Sequence, residues 1–321
     1  MDTPRSRRTM LGDLLKLAAA LAIPAPLIDL GGAAMPGSAL PARHAPHGPD
    51  DADLDRLAAW SAVLRAQGLA RPGTPLARAA ARVGELAVGT PYVAGTLEEY
   101  LRAGGSGAGE EPLTLSLTRF DCVTLVESCL AVARAARGAR EGDGPSWARY
   151  AREMERMRYR DGARGDYASR LHYFSEWIAD GERRGLLRDL GAELGGEVDA
   201  RPLRFMTEHR ESYPALADDR VLAAIAEVER RLDDAPRRVI PTARIADVAD
   251  RIETGDVLAF ATAIPGLDVT HAAFAHRGDD GVLRVLHAPL SGGTVEVTAA
   301  TLEEYVARIR RATGIMIARP A

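Results

Sequence analysis

Cysteine is nearly absent from this chain, with two residues among 321, Cys122 and Cys129. On one helix they would stand about 10 Å apart along the axis at ~1.5 Å per residue, so an intrachain disulfide is excluded. Aromatic residues are scarce too, at 5%, which makes any cluster of them informative. No single sign of charge dominates: the net charge is −4, with acids and bases interspersed, and nothing favours nucleic acid as a partner. No His-Glu-x-x-His or His-x-x-Glu-His string occurs, so no metal and no cofactor is expected. What is left is an ordinary globular composition, 46% hydrophobic and 27% charged, ample for one large domain or two small ones.

Long apolar runs are also missing. The moderately apolar stretch from Leu14 to Ile23 is too short to span a bilayer and carries Lys16. It follows the paired arginines of Ser6-Arg7-Arg8-Thr9-Met10-Leu11, so residues 1–34 read as a twin-arginine export signal, with Gly32-Ala33-Ala34 or Ser38-Ala39 offering small residues for cleavage. No cysteine follows the run, which argues against a lipid anchor. Residues 35–52, rich in Pro, Gly and Ala and carrying His44 and His47, read as a disordered linker. The expected location is extracytoplasmic, in the periplasm or beyond, with no membrane span after signal removal.

The most telling stretch is Asp121-Cys122-Val123-Thr124-Leu125-Val126-Glu127. Asp121 is a good N-cap, and Val123, Val126 and Leu130, with Leu125 and Cys129 beside them, trace the apolar stripe of a helix. Cys122 then sits at the positive end of a helix dipole, where a thiol pKa is expected to fall. The competing reading is a small buried hydrophobe, which is also the expected fate of Cys129.

Helical patterns cover about 53–67, 75–88, 122–137, 145–158, 168–184 and 218–232. Strand-like runs come late, at 256–260, 269–275, 282–288, 295–298 and 315–319. Helices followed by short strands imply an α+β fold with a C-terminal antiparallel sheet, in one domain over 53–321 with a mainly helical insert at about 138–235. Thr96-x-x-Glu99 and Thr301-x-x-Glu304 both predict capping boxes. The turn Arg277-Gly278-Asp279-Asp280-Gly281 predicts a hairpin. Paired symmetrically about Asp279, it sets His271 opposite His287, on a face otherwise made of Ala273, Ala275, Leu283 and Val285. The Cys122 helix is expected to rest on that face, aligning thiol, base (His271) and orienting group (His287).

Five strings in this order carry a resemblance: Gly89-Thr90-Pro91-Tyr92-Val93-Ala94-Gly95, Phe120-Asp121-Cys122-Val123-Thr124-Leu125, Gly255-Asp256-Val257-Leu258-Ala259-Phe260, Thr270-His271-Ala272-Ala273-Phe274-Ala275 and Leu286-His287-Ala288. The chain resembles the NlpC-type cell-wall hydrolases, papain-like cysteine amidases and peptidases acting on bacterial peptidoglycan. Within them it is most similar to the N-acetylmuramoyl-L-alanine amidase-like branch, from about Thr74 to the end. That likeness implies a papain-like core and a peptidoglycan or muropeptide substrate, and a monomer is expected. It also implies hydrolysis of the amide between the lactyl group of N-acetylmuramic acid and L-alanine, with preference for small, notably anhydro-sugar, fragments. Tyr92 corresponds to the tyrosine that helps hold the oxyanion. Val123-Thr124 departs from the Ser-Gly common in the wider superfamily.

The insert contributes Arg170, His172, Tyr173 and Trp177 as candidate substrate contacts, since on a helix Arg170, Tyr173 and Trp177 share a side. The structural alternative is an amphipathic helix packing Leu171, Phe174 and Ile178, with Arg170 in a salt bridge. Tyr159, Asp161, Glu208 and His209 are weaker rim candidates. Competing functions are a stem-peptide cysteine endopeptidase, a metal amidase built on His172 and His209, and a non-catalytic murein-binding protein.

Overall fold

A computed structural model describes residues 49–138, 144–291 and 293–321. The expected export signal, His44 and His47 lie outside the described residues, as does most of the expected linker. Helix α1 (Asp51–Ala66) begins just inside the expected linker because Asp50 caps it, accepting the Asp53 N–H at 2.8 Å. It is followed by α2 (Leu76–Leu86), α3 (Cys122–Arg137), α4 (Trp147–Arg158), α5 (Phe174–Arg183), α6 (Asp219–Leu232) and α7 (Leu302–Arg308), joined by shorter helical turns. The Thr301 box forms as expected at the head of α7, whereas Thr96 starts only a 3-10 turn behind Gly95, with no side-chain cap. Among the described residues no helix is long and apolar enough to cross a membrane.

The strands are β1 (Leu187–Asp189), β2 (Glu197–Asp199), β3 (Arg237–Pro241), β4 (Val257–Thr262), β5 (Val269–Arg277), β6 (Leu283–His287), β7 (Glu296–Val297) and β8 (Ala312–Pro320). They form one antiparallel sheet in the order β2-β3-β8-β4-β5-β6-β7, with β1 also on β8. The expected mixture of helices and antiparallel strands is therefore present. The insert is less helical than expected: β1 and β2 lie inside it, and β3 just after it. These short, charged segments carry too little alternation to be read alone, and become strands by adding to β8 and to one another.

Both faces of the sheet are covered, which is why β4 is buried at every position instead of alternating. On one face Val257, Ala259, Ala272, Phe274 and Leu286 pack against the apolar stripes of α1 to α5. On the other, Leu258, Phe260, Ala273, Ala275 and Val285 pack against Ile245, Val248, Leu302 and Val306. Helix α3 thus lies on the face opposite to the one expected. Alternation tells which residues share a face, but with both faces apolar it does not tell which layer covers each. The close packing has a marker at Gly255, whose φ is +93° and where an added Cβ would sit 1.9 Å from the Ala77 carbonyl oxygen. Only glycine serves there.

The hairpin register differs as well. Arg277 pairs with Leu283 and Phe274 with Leu286, a shift of two residues from symmetry about Asp279, because β5 runs on through His276, which is held by Glu85 at 3.0 Å. On this register His287 lies across from Ala273, diagonal to His271. A two-residue shift preserves the alternation of faces, so the two histidines still project from the same side.

Candidate active site

The head of α3 forms as its sequence dictates. The Thr124 N–H donates to Asp121 Oδ1 at 2.8 Å, and Thr124 Oγ1 accepts the Asp121 N–H at 2.9 Å, closing a reciprocal cap. The Val-Thr that departs from Ser-Gly therefore has a local task, and Cys122 is locked into the first turn, fully buried.

The sulfur meets the sheet at a place the register leaves open. Ala275 bonds toward β4, donating to the Asp256 carbonyl and accepting from Gly255, so Phe274 and Ala272 direct their backbone groups toward β6. The β6 ladder ends at Phe274–Leu286, short of the Ala272 N–H. The Cys122 sulfur accepts it. Ala272 directly follows His271 in β5, so the sulfur touches the strand that carries the imidazole. A bulge in the β4–β5 pairing falls between Phe260 and Ala261, beside His271, where such irregularities re-aim side chains.

His271 and His287 meet through Nε2 and Nδ1 at 2.8 Å, their rings nearly perpendicular. His271 stacks on Phe260, and its Nδ1 is buried with no hydrogen-bond partner among the described residues. Two residues not singled out from the sequence complete the surroundings. Tyr305, from α7, brings its hydroxyl to 3.4 Å from His287 Nδ1 and lies within electrostatic reach of Cys122. Glu296, the register partner of His287 on β7, has Oε1 3.5 Å from His287 Nε2. One signal for Glu296 was legible: it sits between Val295 and Val297, which pack on the α3 face, so alternation assigns it the histidine face. Tyr92 is half-buried, tied by a bridge to Phe120 and close enough to Cys122 and Asp121 to feel their charges. Burial, and then those charges, raise its phenol pKa.

Electrostatics corrects one expectation. Burial, followed by the Asp121 carboxylate, pushes the Cys122 thiol up rather than down, outweighing the N–H groups of Ala272, Val123 and Cys122 itself. A dipole effect of about a unit is small beside the cost of a thiolate in a dry site. Burial and then His287 hold His271 well below its ordinary range, and burial lowers His287 to about 4. Near pH 7 the resting site holds a neutral thiol and two neutral imidazoles.

The insert residues divide. A cleft beside Val123 is lined by Leu97, Glu127, Arg158, Arg170 and His172. Its guanidiniums are already engaged: Arg158 with Glu127 at 2.8 Å, and Arg170 with Glu98 and with Glu111 (3.0 Å), all buried. His172 rests on the Tyr167 ring and bonds its carbonyl at 2.8 Å. Tyr173 and Trp177 are not at the site. The Tyr173 hydroxyl donates to Glu229 at 2.6 Å, and Trp177 stacks on Phe174 in the core. The helix begins only at Phe174, so Arg170, Tyr173 and Trp177 never share a helical side. Of the rim candidates, Tyr159 is buried, Asp161 pairs with Arg183, and His209 stacks on Phe205. Cys129 is in the core.

These burials set two opposed pH dependences. Glu111 is raised to about 7, chiefly by burial, so the stability it contributes is full below the unfolded carboxylate value and is lost as pH rises toward 7. The depressed histidines act oppositely: their contribution is present above ~6.5 and lost as pH falls toward 4. Between pH 5 and 8, Glu111→Gln should remove a decline of up to about 3 kcal/mol. Urea midpoints measured across that range check this, and an unchanged slope refutes it.

Comparison with known proteins follows the same lines. A solved N-acetylmuramoyl-L-alanine amidase from Bacteroides uniformis is 29% identical, with a TM-score of 0.68 over 77% of this chain and 99% of that one. A Bacteroides fragilis structure, solved as a candidate xylanase, is 33% identical, with a TM-score of 0.63 over 74% and 98%. A Legionella pneumophila protein, 20% identical, shares the fold over 84% of this chain and 94% of its own, with a TM-score of 0.58. No curated protein sequence matches. The class is that of amidase-like hydrolases. Residues 82–315 match the pattern of the N-acetylmuramoyl-L-alanine amidase-like family, and the chain belongs to that family.

Proposed function

We propose that this protein is an exported cysteine amidase with a papain-like core that hydrolyses the amide between N-acetylmuramic acid and L-alanine in peptidoglycan or its turnover fragments. The observation that carries the mechanism is a thiol that accepts the Ala272 N–H on the strand bearing His271, whose Nδ1 has no hydrogen-bond partner among the described residues and whose Nε2 rests on His287. His271 takes the thiol proton as sulfur attacks the lactyl carbonyl carbon. The oxyanion is held by the Cys122 N–H and the Tyr92 hydroxyl. The protonated His271 returns its proton to the departing alanine nitrogen, leaving a thioester. Water, deprotonated by His271, then attacks the thioester, releasing the lactyl carboxylate and the thiol. Starting from a neutral pair, proton transfer accompanies attack instead of preceding it. The paired arginines at Arg7-Arg8 support export.

Mass spectrometry of defined muropeptides after incubation tests the reading. Intact sugar with a free lactyl carboxylate, plus peptide beginning at L-alanine, is the expected pair of products, blocked by iodoacetamide and indifferent to chelator. Cleavage within the stem peptide identifies an endopeptidase instead, and binding without turnover a murein-binding protein.

A further inference from the structure

We propose that Glu296 is a positioning residue for the Cys122–His271–His287 chain, holding the proton of His287 on Nε2 and thereby leaving His271 Nδ1 free to act as base. The proposal rests on the cysteine mechanism above.

The contact between the rings allows two neutral arrangements. In one, His271 Nε2–H donates to His287 Nδ1, His287 carries its proton on Nε2, and His271 Nδ1 keeps a lone pair. In the other, His287 Nδ1–H donates to His271 Nε2, and the His271 proton sits on Nδ1, where it prevents uptake of the thiol proton. The ring-to-ring distance of 2.8 Å is the same for both, so something outside the pair must choose.

Glu296 is placed to choose. It lies opposite His287 in the β6–β7 ladder, with Oε1 3.5 Å from Nε2. His287 is 1% exposed and its Nε2 has no hydrogen-bond partner among the described residues. An Nε2–H in that position requires an acceptor, and a carboxylate is one. An Nε2 lone pair would instead face a carboxylate and be repelled. Only the first arrangement is compatible with an ionised Glu296. The present distance is longer than a hydrogen bond, as such contacts often are before substrate binds. When His271 takes the thiol proton, the same carboxylate stabilises the positive charge shared with His287. The side chain of Glu296 is 54% exposed, so its replacement leaves the core intact.

The test uses the full chain with 15N-labelled histidine. In a Cys122→Ala background, nitrogen shifts should show His287 as the Nε2–H form. Adding Glu296→Ala should mix the two forms, and Glu296→Gln, which keeps an acceptor oxygen, should restore the first. With Cys122 intact, Glu296→Ala should lower kcat by about tenfold or more at nearly unchanged KM, with Glu296→Gln recovering most of it. A His287 signature that ignores Glu296→Ala overturns the proposal whatever happens to the rate, and so does an unchanged kcat. If the wild-type protein fails to cleave muropeptides, the mechanism fails while the nitrogen shifts still report on the Glu296 contact, so the two failures are distinguishable.

Discussion

Cys122→Ala should lose amide hydrolysis by on the order of 10⁴-fold or more, while the protein stays folded. The sulfur is the only atom in the mechanism that makes and breaks a bond to the substrate carbon, and no hydroxyl replaces it in alanine. The structural cost is small: one buried sulfur goes and the Ala272 N–H loses its acceptor, about 1–3 kcal/mol. For a domain of this size that is a shift of several degrees in melting temperature. Turnover of a defined muropeptide and thermal unfolding on the same preparation decide it. Activity within tenfold of wild type would end the cysteine mechanism, because alanine offers no nucleophile in its place.

The second large effect is on stability. Arg170→Met should cost about 3–5 kcal/mol, since it strands Glu98 and Glu111 in the interior. Oε2 of each glutamate already lacks a hydrogen-bond partner among the described residues, leaving Arg170 as the main compensation for their charge. Adding Glu98→Gln and Glu111→Gln to Arg170→Met should recover much of the loss, because neutral amides remove the uncompensated charge. Urea unfolding of the single and triple variants measures both steps. A loss below about 1 kcal/mol for Arg170→Met would mean that water reaches the cluster and that the three side chains are not a structural unit.

The same cluster shows where sequence reading stopped. Arg170, Tyr173 and Trp177 looked like a substrate-facing stripe because their spacing suits a helix. The helix starts at Phe174, and what Arg170 touches, Glu98 and Glu111, lies 72 and 59 positions away in the chain. No local pattern encodes that contact. Tyr305 was missed for the same reason, reaching His287 from a separate element, whereas for Glu296 alternation gave the face but not the partner. The histidine pair was foreseen despite a wrong register, because an even shift keeps alternate residues on their face. The choice of face for α3 was not foreseen, since both faces of the sheet are apolar.

By itself the sequence determined the elements and their polarity: Asp121 capping Cys122, the α3 stripe, and the alternation that sends His271 and His287 to one side. These depend on residues a few positions apart, where backbone geometry alone sets what can meet. Tertiary structure decided the covering of the sheet, the two-residue register, the burial that raises the thiol and lowers the imidazoles, and the carboxylate behind His287. Those follow from which distant surfaces exclude water together, and desolvation is a property of the assembled layers that no single segment carries.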